Sequence, residues 1–315
     1  MRRTSRTRWL KATTALAAMA LLATGCGGDD AEVDADATAA ADPSAEDTAD
    51  DASGTGDGLL EELRSRGTIK IGIANEVPYG YEGDDGEPTG EAPEVARAVL
   101  AELGIDDIEA EVVDFGALIG GLQAGQFDMI AAGMYINAER AEQILFSDPD
   151  YCVGEAFAVP EGNPLGLTDF NSVVDSGATI AILSGAVEEG YAETAGVPAE
   201  QIELFTDVNA QYDALSAGRV DAVTGTSLTV LNQVESREGF ETTTSFFPLD
   251  ENGEEILGCG GFGFRQEDQA FRDAFNDKLN EMQEAGTLLP IITQFGFAEE
   301  DVLRAQELTV EDLAG

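Results

Sequence analysis

The feature that most constrains the fold is a strand–helix alternation that occurs twice along the chain. The first copy alternates strand, helix, strand, helix, strand in TIKIGIA (68–74), APEVARAVLAELG (92–104), IEAEVVDF (108–115), GALIGGLQAG (116–125) and FDMIAAGM (127–134). The second copy repeats that order in TIAILSG (179–185), AVEEGYAETAG (186–196), IELF (202–205), VNAQYDALSAG (208–218) and VDAVTG (220–225). Strands joined by helices at this spacing indicate βαβ units and a parallel sheet. The sequence therefore predicts an α/β protein with two similarly built lobes.

The two copies also have the same residues at several matching positions, and a third segment of the chain follows the second copy. LQAGQFDMIAAG (122–133) and LSAGRVDAVTG (215–225) share a helix end, Ala-Gly, an aspartate and an apolar strand. Residues 258–297 then read as a strand followed by two helices. We therefore predict a discontinuous first lobe, 59–154 plus 258–315, and a second lobe, 155–257. Open sheets bind ligands at the carboxyl ends of their strands, so the expected site is the cleft between the lobes.

The N-terminus has the layout of an export signal. MRRTSRTRWLK carries basic residues and no acid, and the apolar run after it is too short to span a bilayer. The run ends in LATGC, which resembles a bacterial lipobox, although Ala23 stands where leucine is more usual. We predict a lipoprotein signal peptide over 1–25 and lipid attachment at Cys26. The alternative is a soluble secreted protein with a free Cys26.

Residues 26–58 are predicted to be the lipidated cysteine followed by a disordered tether. The stretch from Gly27 to Gly58 holds eleven acidic residues, no basic ones, and otherwise mostly Ala, Thr, Ser and Gly. Such a segment cannot bury enough apolar surface to offset the entropy of ordering it. It would let a lipid-anchored domain extend away from the membrane.

Charge and composition exclude several function classes. The formal net charge of −46 repels nucleic-acid phosphates and anionic lipid surfaces, and it suggests a salty exterior in which charge repulsion is screened. The chain has no histidine, which excludes Ser-His or Cys-His catalysis and histidine-based zinc sites. We expect no metal, no cofactor and no enzymatic activity.

Longer motifs carry a family resemblance. FGALIGGLQAGQFDMIAAGMYINAERAEQILFSDPDY (115–151) resembles the signature of extracytoplasmic solute-binding proteins of the polar amino-acid transporter family. AGRVDAV (217–223) and the segment 261–288 resemble that family's second-lobe strand and returning C-terminal segment, so the match covers about residues 59–300. The resemblance implies a periplasmic-binding-protein type II fold, with two lobes joined by a hinge of two crossing strands.

Within that family the chain resembles the ectoine and hydroxyectoine binders. The residues that carry this are ANEVPYGY, GEAPEVARAVL, AAGMYINAER, GAVEEGYAETAGVP and the cysteine pair. The resemblance implies a monomer on the outer face of the cell membrane that delivers its solute to a permease with cytoplasmic ATPase subunits. It implies no contact with the membrane other than the lipid anchor.

Ectoine combines a carboxylate with a cation that is spread over a ring amidinium. By resemblance, Arg140 binds the carboxylate, because a guanidinium forms two parallel charge-assisted hydrogen bonds with it. Backbone N–H groups from Ser184 to Glu188, at a predicted helix start, would assist. The alternative for Arg140 is a surface ion pair with Glu139 or Glu142.

Aromatic and acidic residues after strand ends would hold the cation. Tyr79, Phe115 and Tyr135 follow three predicted strands and could form a box of rings, although Phe115 could instead be loop packing. Tyr81 is a weaker candidate for this box. The candidate anions are Glu76 and Glu188, although a glutamate in so acidic a chain is usually on the surface.

Three further residues complete the predicted ligand-binding set: Gly133, Val187 and Thr226. Relatives that bind α-amino acids usually carry an aspartate after the strand that reads VDAV here, and it holds the ligand's ammonium. The present chain has Thr226 instead, and Tyr135 replaces a usual hydroxyl. With Thr226 the site lacks the localised negative charge of an aspartate, and with Tyr135 it has an additional aromatic ring. Such a site favours a cation that is spread over a ring rather than a compact ammonium group.

The resemblance also places two cysteines at the hinge. Cys152 follows the first crossing between the lobes and Cys259 lies at the return. Export to an oxidising compartment makes a structural disulfide between them reasonable. The alternative is a pair of buried free thiols.

Other functions remain open from the sequence. A few relatives of this fold are dehydratases of cyclic acids, in which Glu76 or Glu188 could be a general acid or base. The ligand could instead be another zwitterion, such as a betaine or an α-amino acid. A sensor or adhesion lobe would normally bring an additional span or signalling domain, which we do not expect.

Overall fold

The computed structural model describes residues 58–314. Up to the first crossing, the helices are α1 (Gly58–Arg66), α2 (Glu91–Glu102), α3 (Leu118–Gln123) and α4 (Ala138–Ala141). The strands of this part are β1 (Thr68–Ile73), β2 (Tyr81–Glu82), β3 (Pro88–Thr89), β4 (Asp107–Val112), β5 (Met129–Tyr135), β6 (Leu145–Phe146) and β7 (Tyr151–Cys152).

The second part of the chain carries its own strands and helices. Its strands are β8 (Glu155–Pro160), β9 (Ile180–Leu183), β10 (Ile202–Phe205), β11 (Ala222–Thr226) and β12 (Phe240–Thr242). Its helices are α5 (Phe170–Ser176), α6 (Glu188–Thr194), α7 (Val208–Ser216) and α8 (Ser227–Glu235). The chain then returns through β13 (Cys259–Phe264), α9 (Gln269–Glu284), α10 (Leu289–Ile292), α11 (Glu299–Ala305) and α12 (Val310–Ala314).

Two mixed sheets confirm the predicted two-lobed α/β fold. The first has the order β4-β1-β5-β13-β6, with β7 also on β13, and the second has the order β10-β9-β11-β8-β12. In each sheet the first three strands are parallel and share one order, which is the structural counterpart of the sequence repeat. The expected parallel strands are present, and the sheets are mixed because β13 and β8 join them antiparallel at corresponding positions.

The hinge is formed where the chain crosses between the lobes. β7 and β13 run antiparallel, with Cys259 opposite Cys152, and the two cysteines are joined by a disulfide. The predicted lobe boundaries, 154/155 and 257/258, stay a prediction.

Each lobe has an apolar core that fixes its sheet. In the first lobe, Val95 and Val99 of α2 and Phe271 and Phe275 of α9 are fully buried, at helical spacing. In the second lobe, Phe157 of β8 packs edge-on against Phe170 of α5.

The structure adds elements that the sequence patterns did not reveal. The loop predicted over 75–90 contains the short antiparallel pair β2–β3. Strands β6, β7, β8 and β12 were also not predicted. In residues 58–314, no helix is both long enough and apolar enough to cross a membrane. The predicted signal peptide, Cys26 and tether lie outside the described residues.

Candidate functional site

The candidate site is a cavity between the two sheets. Every ligand-binding residue predicted from the sequence lines it: Glu76, Tyr79, Phe115, Gly133, Tyr135, Arg140, Val187, Glu188 and Thr226. Tyr81, the weaker candidate, lies on β2 and is not among the lining residues. The loops after β1, β4, β5, β9 and β11 therefore meet in one place, as expected for the carboxyl ends of parallel strands.

Arg140 is held rigidly at the cavity wall. Asn137 caps the short helix α4 by accepting a hydrogen bond from the Arg140 backbone N–H at 2.9 Å. The guanidinium donates from Nη1 to the Tyr135 carbonyl at 2.7 Å and from Nη2 to the Gly185 carbonyl at 2.9 Å. Because Gly185 belongs to the second lobe, Arg140 bridges the lobes.

The environment of Arg140 differs from that of a surface arginine. Its side chain is buried, and burial lowers its pKa, while the charge of Glu188 opposes that shift. Between residues 58 and 314 it forms no ion pair, so the alternative pairing with Glu139 or Glu142 is not observed.

The predicted rings occupy the cavity in different ways. Tyr79 and Tyr135 are buried, and the Tyr135 hydroxyl donates to the Val153 carbonyl at 2.9 Å. Gly133, with φ 63°, lies directly against the Tyr79 ring, and a side chain there would collide with it. The Phe115 ring lies 5.4 Å from the Arg140 guanidinium carbon, so it also makes a cation–π contact within the protein.

Three glutamates lie at the cavity wall or directly behind it. Glu76 accepts a hydrogen bond from the Thr229 hydroxyl at 2.7 Å, and burial raises its pKa to about 7 despite that bond. Burial likewise raises the pKa of Glu188. Glu155, on the strand beside Thr226, has a pKa well above its usual range, because it is buried and faces the charges of Glu188 and Glu76.

The cavity is therefore rich in carboxyl groups. Three carboxyl groups, of Glu76, Glu155 and Glu188, lie in or beside the cavity with one guanidinium, that of Arg140. With both carboxyls ionised, the two Glu155 oxygens and one Glu188 oxygen are buried without a hydrogen-bond partner among the described residues, whereas a proton on Glu155 lets it donate to Glu188. Leaving a buried polar group unpaired costs roughly 1–3 kcal/mol, more for a charged one. A ligand with a positive, hydrogen-bond-donating part would relieve that cost.

A hydroxyl chain links the lobes through Thr226. The Thr226 hydroxyl donates to the Thr229 hydroxyl at 3.1 Å, and Thr229 donates in turn to Glu76. Glu76 lies in the loop after β1, whereas Thr226 ends β11 and Thr229 lies in the first turn of α8, both in the second lobe. Thr226 is thus connected to Glu76 through Thr229.

Three of the five backbone N–H groups from Ser184 to Glu188 that we expected to assist are already used within the protein. The amides of Ser184, Gly185 and Ala186 already donate to the Phe205 carbonyl, the Glu189 carboxylate and the Leu183 carbonyl. Because these bonds close the turn before α6, the three N–H groups are not directed at a ligand.

The sequence reasoning missed several lining residues and one acid behind them. Unpaired buried polar atoms of Gln211, Tyr212 and Thr224 belong to cavity-lining residues, and Thr229 also lines it. Gln211 and Tyr212 lie on α7, where helical periodicity reads as ordinary packing. Glu155 did leave a signal, since it is the one charged residue in the apolar stretch CVGEAFAVP.

Two similar lobes that enclose a buried, polar cavity and are joined by two crossing strands define a solute-binding protein of the periplasmic-binding type. The known relatives agree. The chain belongs to the bacterial extracellular solute-binding proteins, family 3, whose family model matches residues 69–298.

A curated relative and a solved structure resemble most of the chain. A probable amino-acid ABC transporter periplasmic-binding protein of Sinorhizobium fredii is 36% identical over 259 residues, which cover 81% of this chain and 85% of that protein. The crystal structure of EhuB in complex with hydroxyectoine is 35% identical, with a TM-score of 0.75, covering 82% of this chain and 98% of that one.

More distant relatives differ in what they bind. The L-cystine-binding protein TcyJ of Escherichia coli is 25% identical over 234 residues, which cover 74% of this chain and 84% of that protein. An ancestral amino-acid-binding precursor of cyclohexadienyl dehydratase is 23% identical, so it shows a shared fold alone. The protein is thus the substrate-binding component of an ABC importer of the amino-acid type, which binds a small ligand and works with permease components.

Proposed function

We propose that this protein captures ectoine or hydroxyectoine in the interlobe cavity and delivers it to its permease. The observation that carries the proposal is the carboxyl-rich cavity, in which the carboxyl groups of Glu76, Glu155 and Glu188 and two tyrosine rings accompany one guanidinium. The resemblance to EhuB in complex with hydroxyectoine supports the same ligand class.

The two ends of the zwitterion would meet different groups. Its carboxylate binds Arg140, which keeps free N–H groups after its bonds to Tyr135 and Gly185. Its delocalised ring cation lies against Tyr79 and Tyr135 and donates its ring N–H groups to the glutamates. Val187 and Gly133 shape the wall, and the unpaired groups of Gln211, Tyr212 and Thr224 are positioned for the remaining polar atoms.

Thr226 favours a diffuse cation over the compact ammonium of an α-amino acid. A threonine hydroxyl lacks the charge that a primary ammonium requires, and here it already donates to Thr229. Within transport, the remaining candidate is another small zwitterion, either a polar amino acid or a betaine. The relatives that bind amino acids support the polar amino acid.

The cellular setting belongs to the same proposal. We infer a lipoprotein anchored through Cys26 to the outer face of the cell membrane, monomeric, and serving osmoprotection in a saline habitat. The support is the lipobox-like LATGC, the acidic tether and the net charge of −46. Metabolic labelling with a fatty-acid analogue, compared between the natural chain and Cys26→Ser, tests the anchor.

Calorimetric titration in high salt tests the ligand. The panel is ectoine, hydroxyectoine, glycine betaine, L-arginine, L-glutamine and L-cystine. We expect tight binding of ectoine or hydroxyectoine, strongly weakened by Tyr135→Ala. Binding of an amino acid alone would leave the transport role in place and contradict the ligand assignment. Turnover of a cyclic acid would instead favour the dehydratase alternative.

A further inference from the structure

The lobes touch backbone to backbone at one point of the cleft. Gly116 lies in a 3-10 turn after β4 in the first lobe, and Gly185 lies in the turn between β9 and α6 in the second. A Cβ built on Gly185 would lie 2.7 Å from the Gly116 Cα, and one built on Gly116 would lie 2.9 Å from the Ser184 carbonyl oxygen. Non-bonded carbon atoms prefer separations of about 3.5–4.0 Å. We refer to this contact as the Gly116–Gly185 junction.

The two glycines are required for different reasons. Gly185 has φ +79°, a left-handed conformation that favours glycine whether the lobes touch or not. Gly116 has no such φ, so its own turn accepts alanine. The nearest atoms that a Gly116 Cβ would meet all belong to Ser184 and Gly185 of the opposite lobe. The collision at position 116 therefore exists only when the lobes are together.

The junction is built into the candidate site. The Gly185 N–H donates to the Glu189 carboxylate at 2.6 Å, which fixes the turn, and the Gly185 carbonyl accepts from Arg140 at 2.9 Å. Phe115, next to Gly116, faces the same guanidinium. The group proposed to bind the solute carboxylate thus holds the turn against which Gly116 rests.

We propose that Gly116 and Gly185 are positioning residues for lobe closure, and that the missing side chain at position 116 permits the close approach that brings Arg140 onto the Gly185 carbonyl. Neither glycine needs to touch the solute. The inference goes beyond the proposed function, since it applies to any solute bound by the closed cleft. An alanine at 116 lowers the population of the closed form, and apparent affinity falls in proportion to that population.

The test compares Gly116→Ala with the natural protein. Calorimetry with the panel above gives the affinity for each solute that the natural protein binds, and small-angle X-ray scattering gives the compaction on saturation with it. We expect Gly116→Ala to weaken binding by at least about tenfold. We also expect a larger radius of gyration than that of the natural protein at saturation.

Two glycines that line the same surface groove as the junction are matched controls, one in each lobe. They are Gly120 on α3 and Gly190 on α6. A Cβ added at either position would meet no atom of another part of the chain within 4 Å. Gly120→Ala and Gly190→Ala are therefore expected to bind and compact like the natural protein.

Further measurements separate an effect of Gly116→Ala on lobe closure from an effect on stability and from the question of which ligand binds. Thermal unfolding without solute reports folding, and Gly116→Ala is expected to unfold within a few degrees of the natural protein, since the open form relieves the collision. Unchanged affinity and compaction in Gly116→Ala would overturn the proposal. If only an amino acid binds, the ligand assignment fails, and the same comparison with that amino acid still decides the role of Gly116.

Discussion

At the scale of single residues, Arg140 has two tasks that place different demands on its side chain. A guanidinium carries five N–H donors. The carbonyls of Tyr135 and Gly185 use two of them, and the remaining donors suffice for a two-pronged bond to a carboxylate. A lysine would keep the positive charge and could not serve both tasks in the same geometry.

We therefore expect Arg140→Lys to weaken ectoine binding by about tenfold or more, and Arg140→Ala by about a hundredfold, in line with a charge-assisted bond of roughly 1.5–3 kcal/mol. Calorimetry measures both. Arg219→Lys, at an exposed ion pair with Glu203 in the second lobe, is the control for a general change of arginine to lysine. Equal affinity of Arg140→Lys and the natural protein would contradict the proposed carboxylate contact.

Glu76 predicts a pH dependence of binding. Burial raises its pKa to about 7, and the nearby charge of Glu188 adds to that shift, so a large fraction of Glu76 is protonated below pH 7. A cationic ligand favours the ionised carboxylate, so binding releases a proton. We expect affinity for ectoine to rise between pH 5.5 and pH 8, an interval that brackets this pKa.

The Glu76→Gln variant is the control for this assignment. It keeps the side-chain shape and a hydrogen-bond partner for Thr229 and removes the titrating group. Its affinity should be lower at pH 8 and should change less with pH. An identical pH slope in both proteins would assign the dependence to the other buried glutamates instead.

At the scale of secondary-structure elements, the disulfide ties the two crossing strands, β7 and β13. It closes a loop with a sequence separation of 107 residues, which contains the second lobe. In the chain-entropy model, closing a loop of about 100 residues stabilises the native state by about 4.7 kcal/mol, and measured values are typically 2–4 kcal/mol.

We expect Cys152→Ser with Cys259→Ser to lower the free energy of unfolding by about 2–4 kcal/mol, measured by urea denaturation. Solute affinity should change little, because neither sulfur lines the cavity. A matched measurement on the natural protein in a reducing agent separates loss of the bond from the effect of serine. Unchanged stability in both would show that the bridge does not constrain the unfolded chain.

How much the sequence could predict depends on the range of the interactions. Local apolar runs were sufficient to predict strands β1, β5, β9 and β11. A motif of neighbouring residues was sufficient to predict Arg140 as a site residue. The bond from Thr229 to Glu76 joins residues 153 positions apart, and no local pattern could reveal it. Short pieces such as β6 and β7 are defined only by pairing with β13, which lies far along the chain.

At the scale of the whole molecule, buried acids are a recurring feature. Besides the glutamates of the cavity, Glu91 and Asp150 lie fully buried in the first lobe. Burial and the neighbouring Asp150 charge raise the Glu91 pKa well above its usual range, and burial raises the pKa of Asp150 to about 6. In the folded protein, each of these groups holds its proton to a higher pH than in the unfolded chain.

Raised carboxyl pKa values fix the sign of a pH effect on stability. Between the unfolded value near 4.5 and the higher folded values, the native state binds more protons than the unfolded chain. Stability conferred by these groups is therefore present at acidic pH and is lost as the pH rises through the folded pKa values. We expect the melting temperature of the solute-free protein to fall from pH 5 to pH 8, a range that spans Asp150 near 6 and Glu76 near 7.

Salt distinguishes this buried contribution from the repulsion of surface charges. A chain of net charge −46 also repels itself more as its acids ionise, but ions screen exposed charges over about 3 Å at 1 M salt and reach buried ones far less. We expect the melting temperature in 1 M sodium chloride to be higher at every pH and still to fall from pH 5 to pH 8. Glu91→Gln, which removes one buried acid, should reduce that fall, whereas Glu300→Gln on the surface should leave it unchanged. A melting temperature independent of pH in high salt would show that surface repulsion alone produces the effect.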